Sequence, residues 1–535
     1  MENISLIIVL LFGITLLSVL SKKYKFQFPI ALVICGLVIS LVPGLPSISL
    51  RPDVVFLIFL PPLLFSGAWN TSWQQFKANR RPIALAAFGL VLFTTVTIAM
   101  VAHMFIPGMT WPLGFLLGAI VSPPDAVAAI SVTKGLGLQP RVLAILEGES
   151  LVNDASSLIT YKYAIIAVMV GNFVLWQVGF NFLLIAGGGV AVGLAAGYAM
   201  YLVHKKFICD PVIEVTLTFL AAFATYLLAE HFQFSGILAV VTTGLILSYY
   251  SANIFSNESR IMIYAVWDVV VFILTGLVFI LIGLQLKSVI KGIEMYSSGE
   301  LIFYGLLISF AVIIVRFLFV IPAAFIPRIV SRRIREKEAF DFRNVIIVGW
   351  AGMRGVVSIA AALAIPLVLP DGRPFPLRNL IIYLTFCVIL FTLLLLGLTL
   401  PWLIRKLKIE PYSIAAEEYD VRMLVVNNTI QYIEGNLSLI NENLLRDIKT
   451  KYEIKYNRLQ KTDLPAGYLG NEKDGTVPLN VFNEFSKLQI KVIATERNTL
   501  EQLHKEGKAS EEVLHKIERE LDLEETRLRM EIYEG

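Results

Sequence analysis

The chain has 535 residues, of which 56% are hydrophobic and 16% charged, and its mean hydropathy is +0.73. A soluble globular protein carries about a quarter charged residues, so too few polar faces remain here to meet water, and a large soluble enzyme is excluded. The net charge of +4 reflects basic connections between apolar runs and implies no nucleic-acid partner.

Apolar runs long enough to cross a bilayer recur as far as residue 404. They predict about thirteen spans, centred on 3–20, 27–43, 54–68, 82–105, 111–131, 143–170, 177–203, 212–230, 235–250, 261–285, 301–326, 343–369 and 379–404. The first has neither a basic n-region nor a small-residue cleavage site, so it reads as a retained helix. The fold class is therefore an all-α polytopic membrane protein.

Charges lie deep inside these spans: Asp125, Glu149, Asp154, Lys162, Arg316 and Arg354, with Asp268 nearer a helix end. Each costs about 2.5–3.5 kcal/mol at the bilayer centre, and an ion or proton pathway is the default account of such groups. In the fifth span, "GAIVSPPDAVAA" places Pro123 and Pro124 beside Asp125. Two prolines remove two amide donors and clash with the preceding turn, so the helix is predicted to break there and leave carbonyls and helix ends free for an ion. In the sixth, "ILEGESLVNDASS" spaces Ser150 and Asp154 at i, i+4 on one helix face, with Glu149 and Asn153 as the adjacent pair. The eleventh span carries Arg316, read as bracing broken helices by bonding free carbonyls. The twelfth, "VGWAGMRGVVSIAAALAIP", sets Gly349, Gly352 and Gly355 around Arg354 and predicts a second break.

The two predicted breaks are seven spans apart. An odd offset reverses direction, so spans 1–6 and 8–13 read as inverted repeats joined by span 7, with a binding site near the midplane. Lys162, two turns beyond Asp154, is read as snorkelling to the outer water, and Asp268 as lining the cytoplasmic approach. The five histidines (His103, His204, His231, His504 and His515) fall at ends, in loops or in the tail, where exposure is expected.

Lys and Arg in one set of alternating loops number twenty, including the run "PRIVSRRIREKEAFDFR", against five in the other set. The basic side faces the cytoplasm, which puts the N-terminus outside and the C-terminus inside. Cys35 and Cys387 lie within spans and Cys209 in a loop, so no disulfide framework is implied. Beyond about residue 408 the composition changes: Arg405 to Gly535 hold 24 acidic and 20 basic residues. Two stretches with apolar residues at helical spacing flank the loop "KTDLPAGYLGNEKDGTVP". The domains are read as a transmembrane part, 1–408, and a helical cytoplasmic part, 409–535.

"ESLVND", an aspartate in the preceding broken helix, and "GMRGVVS" together resemble the cation:proton antiporter-1 family of sodium/proton exchangers, over roughly residues 5–405. "LPPLLF" (60–65), "SGILAVVTTGL" (235–245) and "LVFILIGLQL" (277–286) also fit. The resemblance implies a homodimer in a cell membrane whose mobile core carries the ion across. It implies Asp154 as principal cation and proton carrier, helped by Asp125 and Ser150, with a carbonyl at Pro124. It also implies a buried structural pair between Glu149 and Arg354, with Asn153 bonded alongside. Two positions depart from the family pattern: Pro124 replaces a usual threonine, and "SGAWN" (66–70) lacks an acid that many members carry.

The expected function is exchange of a monovalent cation, Na⁺ first, for H⁺, without a cofactor. A proton and a hard cation compete for one carboxylate among oxygen ligands. No P-loop appears, so an ion gradient must drive the cycle. K⁺/H⁺ exchange on the same fold is the alternative, and a cation channel a more distant one. An enzyme is not expected, because no nucleophile–base or histidine constellation lies in the spans.

Overall fold

The computed structural model describes residues 2–24, 26–41, 55–133, 136–170, 175–207, 210–285, 296–330, 341–409, 412–436, 479–506 and 508–534, with single positions at 289, 293, 449, 451–453 and 456. Cys209, most of the basic run after Pro327 and the loop 461–478 lie outside the described residues. The described chain is helical, apart from one isolated bridge between Val368 and Pro374. It divides into two compact units.

The first unit comprises Met1–Ile208, Val215–Ile254 and Ala265–Pro411. Its helices in chain order are α1 (Glu2–Tyr24), α2 (Phe28–Ser40), α3 (Leu60–Asn70), α4 (Trp73–Ala78), α5 (Arg80–Phe105), α6 (Trp111–Val121), α7 (Ala126–Thr133), α8 (Pro140–Val170), α9 (Leu175–Phe207), α10 (Pro211–His231) and α11 (Gly236–Tyr249). There follow α12 (Asn257–Leu284, whose first turns belong to the second unit), α13 (Ser298–Val330), α14 (Phe342–Trp350), α15 (Val356–Leu363) and α16 (Arg378–Lys406). Six of the described helices are long and apolar enough to cross a membrane. Large apolar side chains stay exposed along them, among them Leu183 and Leu194 on α9 and Ile314 and Leu318 on α13. In water such surface would aggregate, whereas in a bilayer it is the solvent-facing side.

Where helices meet inside the unit, small residues let backbones approach. Gly189, Gly193 and Gly197 recur every four residues on α9, and a Cβ on Gly193 would press on Thr242 and Ala239 of α11. The Thr243 hydroxyl donates to the Gly193 carbonyl at 3.1 Å. This is small-residue packing of the kind that holds helices together where lipid is as apolar as leucine. Gly114 and Gly118 of α6 lie against Ala99 and Thr95 of α5 in the same way.

The second unit comprises Cys209–Glu214, Phe255–Tyr264 and Tyr412–Gly535. It holds α17 (Ile414–Asn436), α18 (Leu479–Glu506) and α19 (Glu511–Glu534). Val425, Ile493, Leu500, Val513, Ile517 and Leu521 fill its core, and the i, i+4, i+8 spacing of the last three is the helical period seen in the sequence. Its buried polar centre is Arg260, which donates to Asp522 through Nε at 3.0 Å and through Nη2, and to the Phe255 carbonyl at 3.2 Å. Arg497 joins Asn257, Asp522 and Glu525 at 2.8–2.9 Å. His515 is half-buried against the Tyr264 hydroxyl at 2.9 Å. In the first unit His204 is 1% exposed, its Nδ1 on the Met200 carbonyl. Exposure, expected for all five histidines, therefore fails for His204 and for His504 and His515, which are half-buried; for His204 and His515 a ring nitrogen satisfied by a carbonyl or hydroxyl lowers the cost of burial.

Candidate ion-binding site

Four residues without helical structure separate α6 from α7, and five separate α14 from α15. The first gap falls at Pro123 and Pro124, which lack the amides a continuing helix needs. Asp125 then caps the start of α7: its Oδ1 accepts from the Val127 amide at 2.9 Å and the Ala128 amide at 3.4 Å. A backbone hydrogen bond from Val356, the first residue of α15, reaches the same carboxylate. Asp125 thus sits against the amide ends of two short helices, where the partial charge is positive.

The two gaps are tied to each other. The Asp125 amide donates to the Met353 carbonyl at 2.7 Å, and Arg354 Nε donates to the Val121 carbonyl, at the end of α6, at 2.6 Å. Arg354 Nη1 bonds the Gly352 carbonyl at 2.8 Å, and its own amide donates to the Thr392 hydroxyl of α16 at 3.2 Å.

α8 runs unbroken past this crossing and brings the sequence cluster to it. Asn153 is fully buried and its Nδ2 donates to the Pro124 carbonyl at 3.0 Å. That carbonyl was expected to face an ion; here it accepts from Asn153. Asp154, 9% exposed, lies within electrostatic range of Asp125. Ser150 is half-buried one turn earlier on α8. The Ser157 hydroxyl donates to the Ala119 carbonyl at 2.9 Å and Ser156 to the Ala87 carbonyl, in a π-helical turn of α5. These two serines pin α8 to its neighbours.

Glu149 differs from its expected pairing. Its carboxylate receives Arg316 of α13, not Arg354: Nη1 donates to Oε1 at 2.6 Å and Nη2 to Oε2 at 3.0 Å, with both side chains almost wholly buried. Arg316 also donates twice to the Val348 carbonyl near the end of α14. The physical reason lies in the gap. Arg354 is itself part of the interruption, and the orphaned carbonyl at the end of α6 captures its guanidinium. The fork of Arg316 is left free to meet a carboxylate bidentately.

Gly355 is the tightest point of the crossing, because a Cβ there would overlap the Asp125 carboxylate. Gly355→Ala is therefore expected to displace that carboxylate and cut transport on the order of a hundredfold, the cost of about 1 Å of misplacement in a positioned site. Flux measured beside Gly435→Ala, a tail glycine with open space around it, checks this. Equal flux in the two variants would show that the carboxylate position is not critical.

Sequence reading passed over Thr392, Met353 and Ser157. Thr392 carried a faint signal as a lone hydroxyl in the run "LFTLLLLGL". Met353 acts through its carbonyl and carried none. Lys162 pairs with Glu230 at the end of α10 at 3.2 Å, its side chain half exposed, and Asp268 is exposed on α12.

Asp125 and Asp154 lie within electrostatic range of each other beside the α6/α7 and α14/α15 gaps, and carboxylate oxygens are the donors a hard cation takes. Residues 6–406 match the family model described as "Sodium/hydrogen exchanger, transmembrane". The chain is 31% identical over 531 residues to the "Sodium, potassium, lithium and rubidium/H(+) antiporter" of Bacillus pumilus, covering 97% of this chain and 77% of that one. It is 32% identical over 410 residues to the "Na(+)/H(+) antiporter ApNhaP" of Aphanothece halophytica, covering 76% and 75%. Its fold resembles the sodium proton antiporter MjNhaP1 of Methanocaldococcus jannaschii with a TM-score of 0.61 at 21% identity, over 77% of this chain and 99% of that one. The interrupted helices and their carboxylates thus lie in a segment matched from end to end, and the chain belongs to the transmembrane sodium/hydrogen exchanger family.

Proposed function

We propose that the protein exchanges Na⁺ for H⁺, one for one, at Asp154 with Asp125 and Ser150, and that it serves pH and sodium homeostasis. The observation that carries this reading is the state of the four groups around the crossing. Glu149 is neutralised by Arg316, Asn153 cannot titrate, and Asp125 is held by backbone amides. Asp154 is left to alternate between a proton and a cation. A carboxylate that carries either one, but not both, couples the two fluxes without moving net charge.

The chain crosses the cell membrane thirteen times, with the N-terminus outside and residues 409–535 in the cytoplasm. The excess of basic residues on one set of loops supports this orientation. The α6/α7 and α14/α15 pairs occupy matching places in two inverted halves. The protein works as a homodimer, a reading supported by the family resemblance. No cofactor is needed, because the ion gradient supplies the free energy.

Reconstituted vesicles under a fixed pH gradient test the stoichiometry. With the membrane voltage clamped by a K⁺ ionophore, Na⁺-coupled proton flux is expected to be indifferent to voltage. A reversal point that moves as one net charge per cycle requires would overturn one-for-one exchange.

A further inference from the structure

A groove of about 530 Å³ lies along α13 in the membrane unit. Phe310, Ile314, Phe317 and Leu318 of α13 line it, with Trp350 at the end of α14 and Leu395 of α16. Every side chain in it is apolar, so water would find no hydrogen-bond partners there. Phe310, Ile314 and Leu318 are 49–59% exposed at its mouth, which opens it sideways. Along the helix, Phe310 is about 18 Å from the first residue of α13 and Pro322, at its other edge, about 12 Å from the last. Both distances put the groove at hydrocarbon depth in a layer about 30 Å thick. Its volume holds on the order of fifteen to twenty water-sized groups, the bulk of one acyl chain.

The charge pattern along α13 selects among lipids. Arg328, in the last turn of α13, stands about 9 Å beyond Pro322 on the cytoplasmic side. An apolar groove that ends below a cation complements a lipid with a negative head on that side. The back wall of the groove is part of the transport machinery. The Trp350 and Phe317 rings meet at 5.9 Å with their planes tilted by 56°, and Trp350 donates to the Thr399 hydroxyl at 2.9 Å. Phe317 packs on Gly349, between Arg316 and the start of the α14/α15 gap. We infer that this groove is a specific site for an anionic phospholipid, with one acyl chain against Phe317 and Trp350 and the phosphate toward Arg328. A chain seated there fills the space behind the gap and holds α14 against α13.

The full chain in vesicles tests this with lipids brominated on the acyl chain, which quench tryptophan on contact. The signal belonging to Trp350 is the quenching lost in Trp350→Phe. Brominated phosphatidylglycerol is expected to half-quench it at about a fivefold lower mole fraction than brominated phosphatidylcholine, the preference one arginine near a membrane surface contributes. Arg328→Gln should remove that preference and leave the quenching itself. Identical curves for the two headgroups in the unsubstituted chain would overturn the site. Should Trp350→Phe not fold, native mass spectrometry of the detergent-solubilised protein replaces it. Leu318→Trp, which fills the groove, should then carry less bound anionic lipid than the unsubstituted chain; equal retention contradicts the proposal.

Discussion

Asp154→Asn is expected to reduce Na⁺-coupled proton flux to that of protein-free vesicles while the protein folds and inserts normally. Asparagine has nearly the shape of aspartate, and Asp154 is not a partner of either buried arginine, so packing has little reason to change. What disappears is the one group that a proton and a cation can both neutralise. Asn153, its neighbour in sequence, shows that an amide is tolerated in this wall, where its Nδ2 serves the Pro124 carbonyl. A pH-sensitive dye inside the vesicles reads the flux, and the thermal midpoint in detergent reads the fold. Substantial flux in a correctly folded Asp154→Asn protein would move the exchange step to Asp125.

The second large effect concerns stability. Glu149 and Arg316 are 1% exposed and joined by two hydrogen bonds. Removing either partner strands a buried charge, at a cost of about 3–5 kcal/mol. Glu149→Ala and Arg316→Ala should both lower the unfolding midpoint sharply, and the double substitution should cost much less than their sum. Arg316→Lys will not rescue, since a lysine cannot serve the carboxylate bidentately and the Val348 carbonyl as well. A double-mutant cycle between Glu149 and Arg354 should show the weaker coupling. The opposite ranking would restore Arg354 as the partner of Glu149.

That ranking also marks the boundary of what could be read from the sequence. A proline pair inside an apolar run does not end a helix by itself, since Pro61 and Pro62 lie within α3, whereas α6 ends at Val121 just before Pro123 and Pro124. Charges at hydrocarbon depth in one 30-residue stretch drew attention to Glu149, Asn153 and Asp154 without any contact being known. The choice between two arginines was out of reach, because it depends on which one stands nearer an orphaned helix-end carbonyl, and that follows from how α6, α8, α13 and α14 cross. Arg260 and Asp522 were equally opaque. Each is an ordinary charged residue in a polar stretch, and they are 262 positions apart, yet both end up buried in one cluster. The period of the tail helices was visible because Val513, Ile517 and Leu521 repeat on one face, whereas the inclusion of residues 255–264 in that unit has no local signature.

The central claim is that one carboxylate holds either Na⁺ or H⁺, and proton release on cation binding measures it most directly. Purified protein in a weakly buffered detergent solution is titrated with Na⁺ while the pH is followed, at a pH where Asp154 is protonated. Close to one proton should leave for each Na⁺ bound, apparent Na⁺ affinity should weaken about tenfold for each further unit of acidification, and Asp154→Asn should release none. Na⁺ that binds with no proton release, and with an affinity independent of pH, would contradict the account.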